Sequence, residues 1–229
     1  MAALKAAGNG HAVTLFERNE KLGKKLYITG KGRCNVTNAG GRDAFFAHVL
    51  HNPRFLYSAW STLDGAALME LMESAGVPLK VERGDRVFPA SDKASDIIRA
   101  MERLLQQAGV ELRLNTAVTG IDVADGAVRA VQTAGGAFPC EAVIVATGGV
   151  SYPQTGSTGD GYMFAKDCGH GVEPPAASLV PLTTRERWPG TLSGLTLKNV
   201  TLTAYRQGKK IFSELGELLL THFGVSGPL

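Results

Sequence analysis

Apolar residues recur at helical spacing through the first half of the chain and alternate after residue 110, so the pattern predicts helices first and a small sheet afterwards. Residues 1–7 are rich in Ala, Leu and Lys, and Gly8-Asn9-Gly10 supplies a helix stop. The short run Val13, Leu15, Phe16 then predicts a strand that ends at Glu17-Arg18-Asn19. Short helices are predicted over 42–50 and 53–63, and a third over 64–75 that ends at Gly76. Between them and the next helix, residues 81–89 read as a hairpin turning at Gly84-Asp85. Ser91 is a candidate cap for a packing helix whose stripe is Ile97, Ile98, Met101, Leu104, Leu105 and Ala108.

From Glu111 the period drops to two. Strands are predicted over 111–114, 117–123, 127–133 and 137–138, with turns at Asp125-Gly126 and Gly135-Gly136, as an antiparallel meander. The unbroken apolar run 142–146 that follows has the length of a buried parallel strand and ends in the glycine turn Thr147-Gly148-Gly149. A helix is predicted from Tyr162 to Gly169, and Pro174-Pro175 breaks the chain. Two domains are therefore expected, 1–177 and 178–229, the second β-rich, with alternation over 195–205 and 209–215. The closing residues 221–229 show no further helix or strand, and the second module reads as unfinished.

Composition narrows the class. With 44% hydrophobic and 20% charged residues the 229-residue chain can bury a sizeable core, and its formal net charge of +3 is spread along the sequence, giving no case for a nucleic-acid or membrane partner. Cys34, Cys140 and Cys168 lie far apart without a Cys-x-x-Cys pair, and the histidines have no ligand spacing. Neither a disulfide framework nor a metal site is expected, and a reducing cytoplasm suits the chain. No apolar run approaches the length of a membrane span.

The densest chemistry lies in residues 28–38, Ile-Thr-Gly-Lys-Gly-Arg-Cys-Asn-Val-Thr-Asn. Gly30 and Gly32 allow positive φ and bring bare N–H groups to a ligand, while Arg33 offers a planar fork to an anion. Glu17, closing the second predicted element, has the acceptor that a ribose hydroxyl needs. Cys34 beside Arg33 is open to two readings, a low-pKa thiol or a small buried residue. Tyr152 is likewise a candidate ring neighbour or a surface residue, and His170 and His222 are read as structural. No catalytic residue is assigned, because in a cofactor enzyme the cofactor carries the chemistry.

Together, the carboxylate at Glu17, the loop Gly30–Asn38, the run from Ala146 to Gly161 and Thr221-His222-Phe223-Gly224-Val225-Ser226-Gly227-Pro228 resemble the BaiN/YhiN-like FAD-binding flavoproteins, an oxidoreductase family also described as aminoacetone-oxidase-like. The match covers nearly the whole chain. It implies an α/β fold: a glutathione-reductase-like, Rossmann-type FAD-binding domain with a β-meander, followed by the start of an inserted β-rich domain. It further implies that Glu17, with Arg18 beside it, binds the adenosine ribose. Lys24, Lys25, Gly30, Gly32, Arg33, Cys34, Asn35, Thr37 and Asn38 would run beside the pyrophosphate and flavin, Val118 would present backbone to adenine, and Ala146, Thr147, Gly148 and Gly149 would pass close to the cofactor. The implied activity is hydride transfer between FAD and a small organic substrate, with NAD(P)H as a candidate second partner.

Family members begin with a strand and a Gly-x-Gly-x-x-Gly turn and continue past Pro228, so the resemblance implies an internal stretch of a longer enzyme that alone binds FAD weakly or not at all. Two alternatives stay open: a non-catalytic FAD- or nucleotide-binding module, and an inactive fragment.

Overall fold

The computed structural model describes residues 1–177 and 180–227, which fall into two units, Met1–Val172 and Glu173–Leu229. The expected boundary at 177/178 and the apolar start at Leu179 fall on residues outside that description, as does Pro228 of the closing run.

In the first unit, α1 (Ala2–Gly8) leads to β1 (Thr14–Phe16) and α2 (Lys24–Ile28). A short 3₁₀ turn over Thr29–Gly32 then enters β2 (Thr37–Asn38). Three short helices follow, α3 (Arg42–Ala47), α4 (Tyr57–Thr62) and α5 (Gly65–Ser74); the Asp64 carboxylate caps α5 by accepting from the Ala67 N–H at 2.8 Å. The hairpin β3 (Leu79–Glu82) and β4 (Arg86–Pro89) turns through Gly84 and Asp85, both at positive φ, as the sequence predicts. Helix α6 (Ala94–Gln107) buries Ile97, Ile98 and Leu105 of the predicted stripe. Its cap position is Lys93 rather than Ser91, whose hydroxyl instead donates to Asp96 at 2.5 Å and accepts from the Lys93 N–H.

The rest of the unit comprises β5 (Glu111–Arg113), β6 (Val118–Ala124), β7 (Ala127–Thr133), β8 (Gly136–Pro139) and α7 (Asp160–Asp167). Three separate sheets result: β1 with β5, β2-β4-β3, and the meander β6-β7-β8. The meander was expected to begin at Glu111, but β5 leaves it and pairs in parallel with β1, Leu15 opposite Leu112. The run 142–146 differs more. Among the described residues no strand pairs with it, and Ile144 and Val145 are 64% and 46% exposed. An apolar run becomes a buried strand only where another strand offers its hydrogen bonds.

One core lies beneath the Gly30–Asn38 loop. Cys34, Met72, Val77, Ala94, Ile97 and Ala100 are buried there, with Val36, Leu71 and Leu79 packed against them. Amphipathic α6 thus closes over α5 and the loop.

The second unit comprises β9 (Leu182–Thr183), α8 (Trp188–Thr191), β10 (Thr196–Arg206), β11 (Lys209–Thr221) and β12 (Gly224–Ser226), in the sheet order β10-β11-β12-β9. Strand β12 corrects the expectation that nothing regular follows Thr221: it pairs antiparallel with both β11 and β9. A Cβ on Gly224 would lie 2.1 Å from the Leu182 carbonyl oxygen, at a φ of +157°. Gly224→Ala is therefore expected to break the β9–β12 pairing, and limited proteolysis should cut residues 173–227 well before the wild type is cut.

Candidate functional site

The carboxyl end of β1 sets the first group. The Glu17 N–H donates to the Arg113 carbonyl at 2.9 Å, the last rung of the β1–β5 pairing, and the Glu17 carbonyl accepts from the Thr116 N–H at 2.9 Å. Val118, two residues on, is thereby tied to the same strand end. One carboxylate oxygen of Glu17 accepts from both the Asn19 N–H (2.8 Å) and the Asn19 side-chain amide (2.7 Å). These bonds fix the side chain through one carboxylate oxygen.

Arg18 and Asn19 hold the glycine-rich loop against this end. Arg18 donates to the Thr158 hydroxyl at 2.6 Å and pairs with Asp160 at 3.2 Å, while Asn19 donates to the Thr155 carbonyl at 3.1 Å. The start of α7 sits on Thr147, since a Cβ on Gly161 would come 2.6 Å from the Thr147 hydroxyl. Gly148, at a φ of +78°, likewise faces the buried Ser157, whose hydroxyl would lie 3.0 Å from an added Cβ. Thr147, Gly148 and Gly149 thus pass close under a loop that bulkier residues would lift away.

The two lysines of α2 part company. Lys24 pairs with Glu20 at 2.7 Å, an exposed i,i+4 contact. Lys25 reaches the Ser151 carbonyl and hydroxyl at 3.4 and 3.5 Å, and its ammonium stands 4.1 Å from the Tyr152 ring centroid. Tyr152 has a φ of +57°, an uncommon conformation for a bulky residue, held by the N–H and hydroxyl of Thr155, both donating to its carbonyl.

Helix α2 runs directly into the second group, the Gly30–Asn38 loop. Gly30, Lys31, Gly32 and Cys34 all take positive φ, so the glycines that the sequence placed around Lys31 do turn the backbone. Thr37 and Asn38 pair with β4, and the Asn35 amide nitrogen faces the Thr37 and Val87 carbonyls at 3.0 and 3.2 Å. Arg33 is tied down from below: its guanidinium meets Glu82 at 2.8 Å and Asp92 at 3.3 Å and lies 4.0 Å from the Phe88 ring centroid. Its hydrogen bond to Glu82 raises its own pKa and holds the Glu82 carboxyl below the ordinary range; Lys80, 2.6 Å away, does the same for Asp92. With lowered native pKa values, these carboxylates lend stability above the ordinary carboxylate range and lose it as pH falls through the lowered values.

The structure therefore joins Arg18 and Lys25 to the 148–161 loop directly and Glu17 through Asn19, with Ala146 to Gly149 leading into that loop, while Val118 pairs with Thr133 in the meander. Gly30 through Asn38 form a separate platform joined to that group through α2, and Lys24 faces Glu20. Cys34 is 1% exposed and burial pushes its thiol up, partly offset by Thr29, which favours the reading of a small core residue. A thiol reagent is expected to label the half-buried Cys140 and Cys168 first and Cys34 only as fast as the protein unfolds, which mass spectrometry of labelled peptides checks. Sequence reasoning missed Asn19 and Ser157; the Gly-Ser-Thr-Gly-Asp-Gly run of 156–161 was the available signal.

Comparison with known proteins places the chain in a family. The chain is 34% identical over 99% of its length to a ribosomal RNA dihydrouridine synthase of Haemophilus influenzae, covering 56% of that protein. It is 30% identical, again over 99% of its length, to a 3-dehydro-bile acid delta(4,6)-reductase of Clostridium scindens, covering 54% of it. The chain thus spans about half the length of these curated relatives. Among solved structures, the open conformation of a flavocytochrome c3 fumarate reductase shares the fold over 86% of this chain and 44% of its own, with a TM-score of 0.50 at 20% identity. The fold is accordingly of the Rossmann type. With residues 1–224 matched by the HI0933-like protein Rossmann domain, the chain belongs to that family of flavoproteins.

Proposed function

We propose that this chain is the FAD-binding part of an oxidoreductase that transfers a hydride between flavin and a carbon–carbon double bond of an organic substrate, with NAD(P)H as the source of reducing equivalents. The observation that carries the reading is that one glycine-rich loop, which follows Thr147–Gly149, is tied both to the strand end bearing Glu17, through Arg18 and Asn19, and to the Lys25 ammonium, through Ser151. That set fits a dinucleotide, which needs an acceptor for ribose hydroxyls, a cation for phosphate and glycine where backbone approaches a broad ring.

FAD, when bound, supplies the hydride-accepting and hydride-donating ring. Glu17 orients the ribose, and Lys25, steadied by Ser151 and Tyr152, offsets phosphate charge. Thr147, Gly148 and Gly149 offer backbone along the ligand, with Val118 contributing backbone beside the adenine. Arg33 is spent on Glu82 and Asp92, so in this reading it holds the Gly30–Asn38 loop in shape rather than meeting phosphate. The loop's Lys31 is exposed.

The relatives' names share one chemistry. Dihydrouridine is uridine with two hydrogens added across a ring double bond, and a delta(4,6)-reductase acts on carbon–carbon double bonds. Substrates of this kind, with uridine in RNA the one borne by two similar proteins, are the class proposed. The test is anaerobic: the protein is mixed with FAD and NADPH or NADH, and bleaching of the flavin and its reoxidation by uridine-containing RNA or an unsaturated ring ketone are followed. Bleaching followed by acceptor-dependent reoxidation supports the reading; bound flavin that neither nicotinamide reduces and no such acceptor reoxidises overturns it.

A further inference from the structure

Helices α3 and α4, with the connection through Pro53–Leu56, carry the rings Phe45, Phe46, Phe55, Tyr57 and Trp60 and leave much of them uncovered. Phe45 and Trp60 stack at 4.3 Å between centroids, and Phe46 meets Tyr57 at 4.7 Å, yet no residue of either helix or of the connection is buried. Phe55 is 86% exposed and Leu50 83%. Cations are interleaved with these rings: the Arg42 guanidinium lies 5.1 Å from the Tyr57 ring centroid, and Arg54 immediately precedes Phe55 in the chain.

Residues 41–63 contain two arginines and two histidines against a single acid, Asp43. The next acid, Asp64, is engaged in capping α5. Whole-chain charge hides this local balance. An exposed ring flanked by cations suits a base stacked on its face with a phosphate on either side, whereas a purely apolar partner would leave Arg54 and Arg42 desolvated without counter-charge.

We propose that this surface binds single-stranded RNA, with Phe55 as the stacking ring and Arg42 and Arg54 contacting phosphates. The choice of RNA over other polyanions rests on the functional reading above, in which uridine in RNA is the substrate class.

The experiment is fluorescence polarisation with a labelled single-stranded uridine-rich RNA of about 12 nucleotides, using the whole chain and, in the same samples, a flavin titration. Saturable binding that weakens as salt is raised is expected. Phe55→Ala should weaken it at least about fivefold, Phe55→Trp should restore it, and Arg54→Gln should flatten the salt dependence. Phe55 is too exposed for these changes to unfold the protein. Absence of saturable RNA binding at low salt, or equal binding by Phe55→Ala, overturns the proposal. So does concentration-dependent self-association that Phe55→Ala abolishes, which would make the face a contact between copies. Flavin that still binds while RNA does not leaves the oxidoreductase reading standing; loss of both removes both.

Discussion

Phe88→Ala is expected to destabilise the first unit by about 3–5 kcal/mol, the usual loss for truncating a fully buried phenyl ring. Phe88 is 2% exposed. Its ring forms the floor of the Gly30–Asn38 loop, coming within 2.8 Å of the position a Cβ would take on Gly30, and it supports the Arg33 guanidinium. Truncation leaves a cavity beneath the loop and removes the surface on which Arg33 lies, so the Arg33–Glu82–Asp92 contacts should loosen as well. Thermal denaturation should show the transition of residues 1–172 lowered by roughly 6–20 °C. Arg33→Lys separates the two effects: it keeps the ring and the charge but loses the fork, and should cost far less. A melting temperature unchanged by Phe88→Ala would mean that the loop is held by something other than this floor.

Gly65→Ala is expected to destabilise, although alanine is the better helix former. Gly65 is the first residue of α5, and a Cβ there would lie 2.5 Å from the Asn38 backbone carbonyl oxygen and 3.3 Å from the Thr37 hydroxyl. The helical gain is at most about 1 kcal/mol. Against it stands a clash with a backbone that β4 holds in place through the Asn38–Arg86 pairing, and overpacking of this kind costs about 1–3 kcal/mol. The clash wins, and the strain falls on the end of the loop. Denaturant unfolding should show a lower midpoint for the variant, together with faster hydrogen exchange at residues 36–39. A raised midpoint would show that the helix start can shift away from Asn38.

Where a signal is local, the sequence shows the fold. Gly84-Asp85 specify their hairpin, the stripe of α6 sets its buried face, and Gly30 and Gly32 announce a left-handed turn. Partners distant in sequence were invisible. Nothing near Glu111 says that it pairs with Thr14, 97 residues earlier, rather than with the meander that follows it. Arg33 looked like a free anion receptor because its carboxylates lie 49 and 59 residues away, at Glu82 and Asp92. The run 142–146 shows the same limit from the other side: its apolar pattern describes what a strand buries, and pattern alone does not supply the neighbour. Arg18 is the converse case, a residue whose place beside Glu17 was visible but whose clamp onto Thr158 and Asp160 emerged only when the loop was folded back.

We propose that Glu17 and Lys25 hold a dinucleotide against Thr147–Gly149. The most direct test is an FAD titration followed by the shift of the flavin visible band, comparing the wild-type chain with Glu17→Ala, Lys25→Ala and, as a control, Glu73→Ala at an exposed position of α5. Saturable binding is expected, falling roughly tenfold or more in each of the first two variants and unchanged in the third. Equal affinities across all four proteins, or no saturation by the wild type, would contradict it.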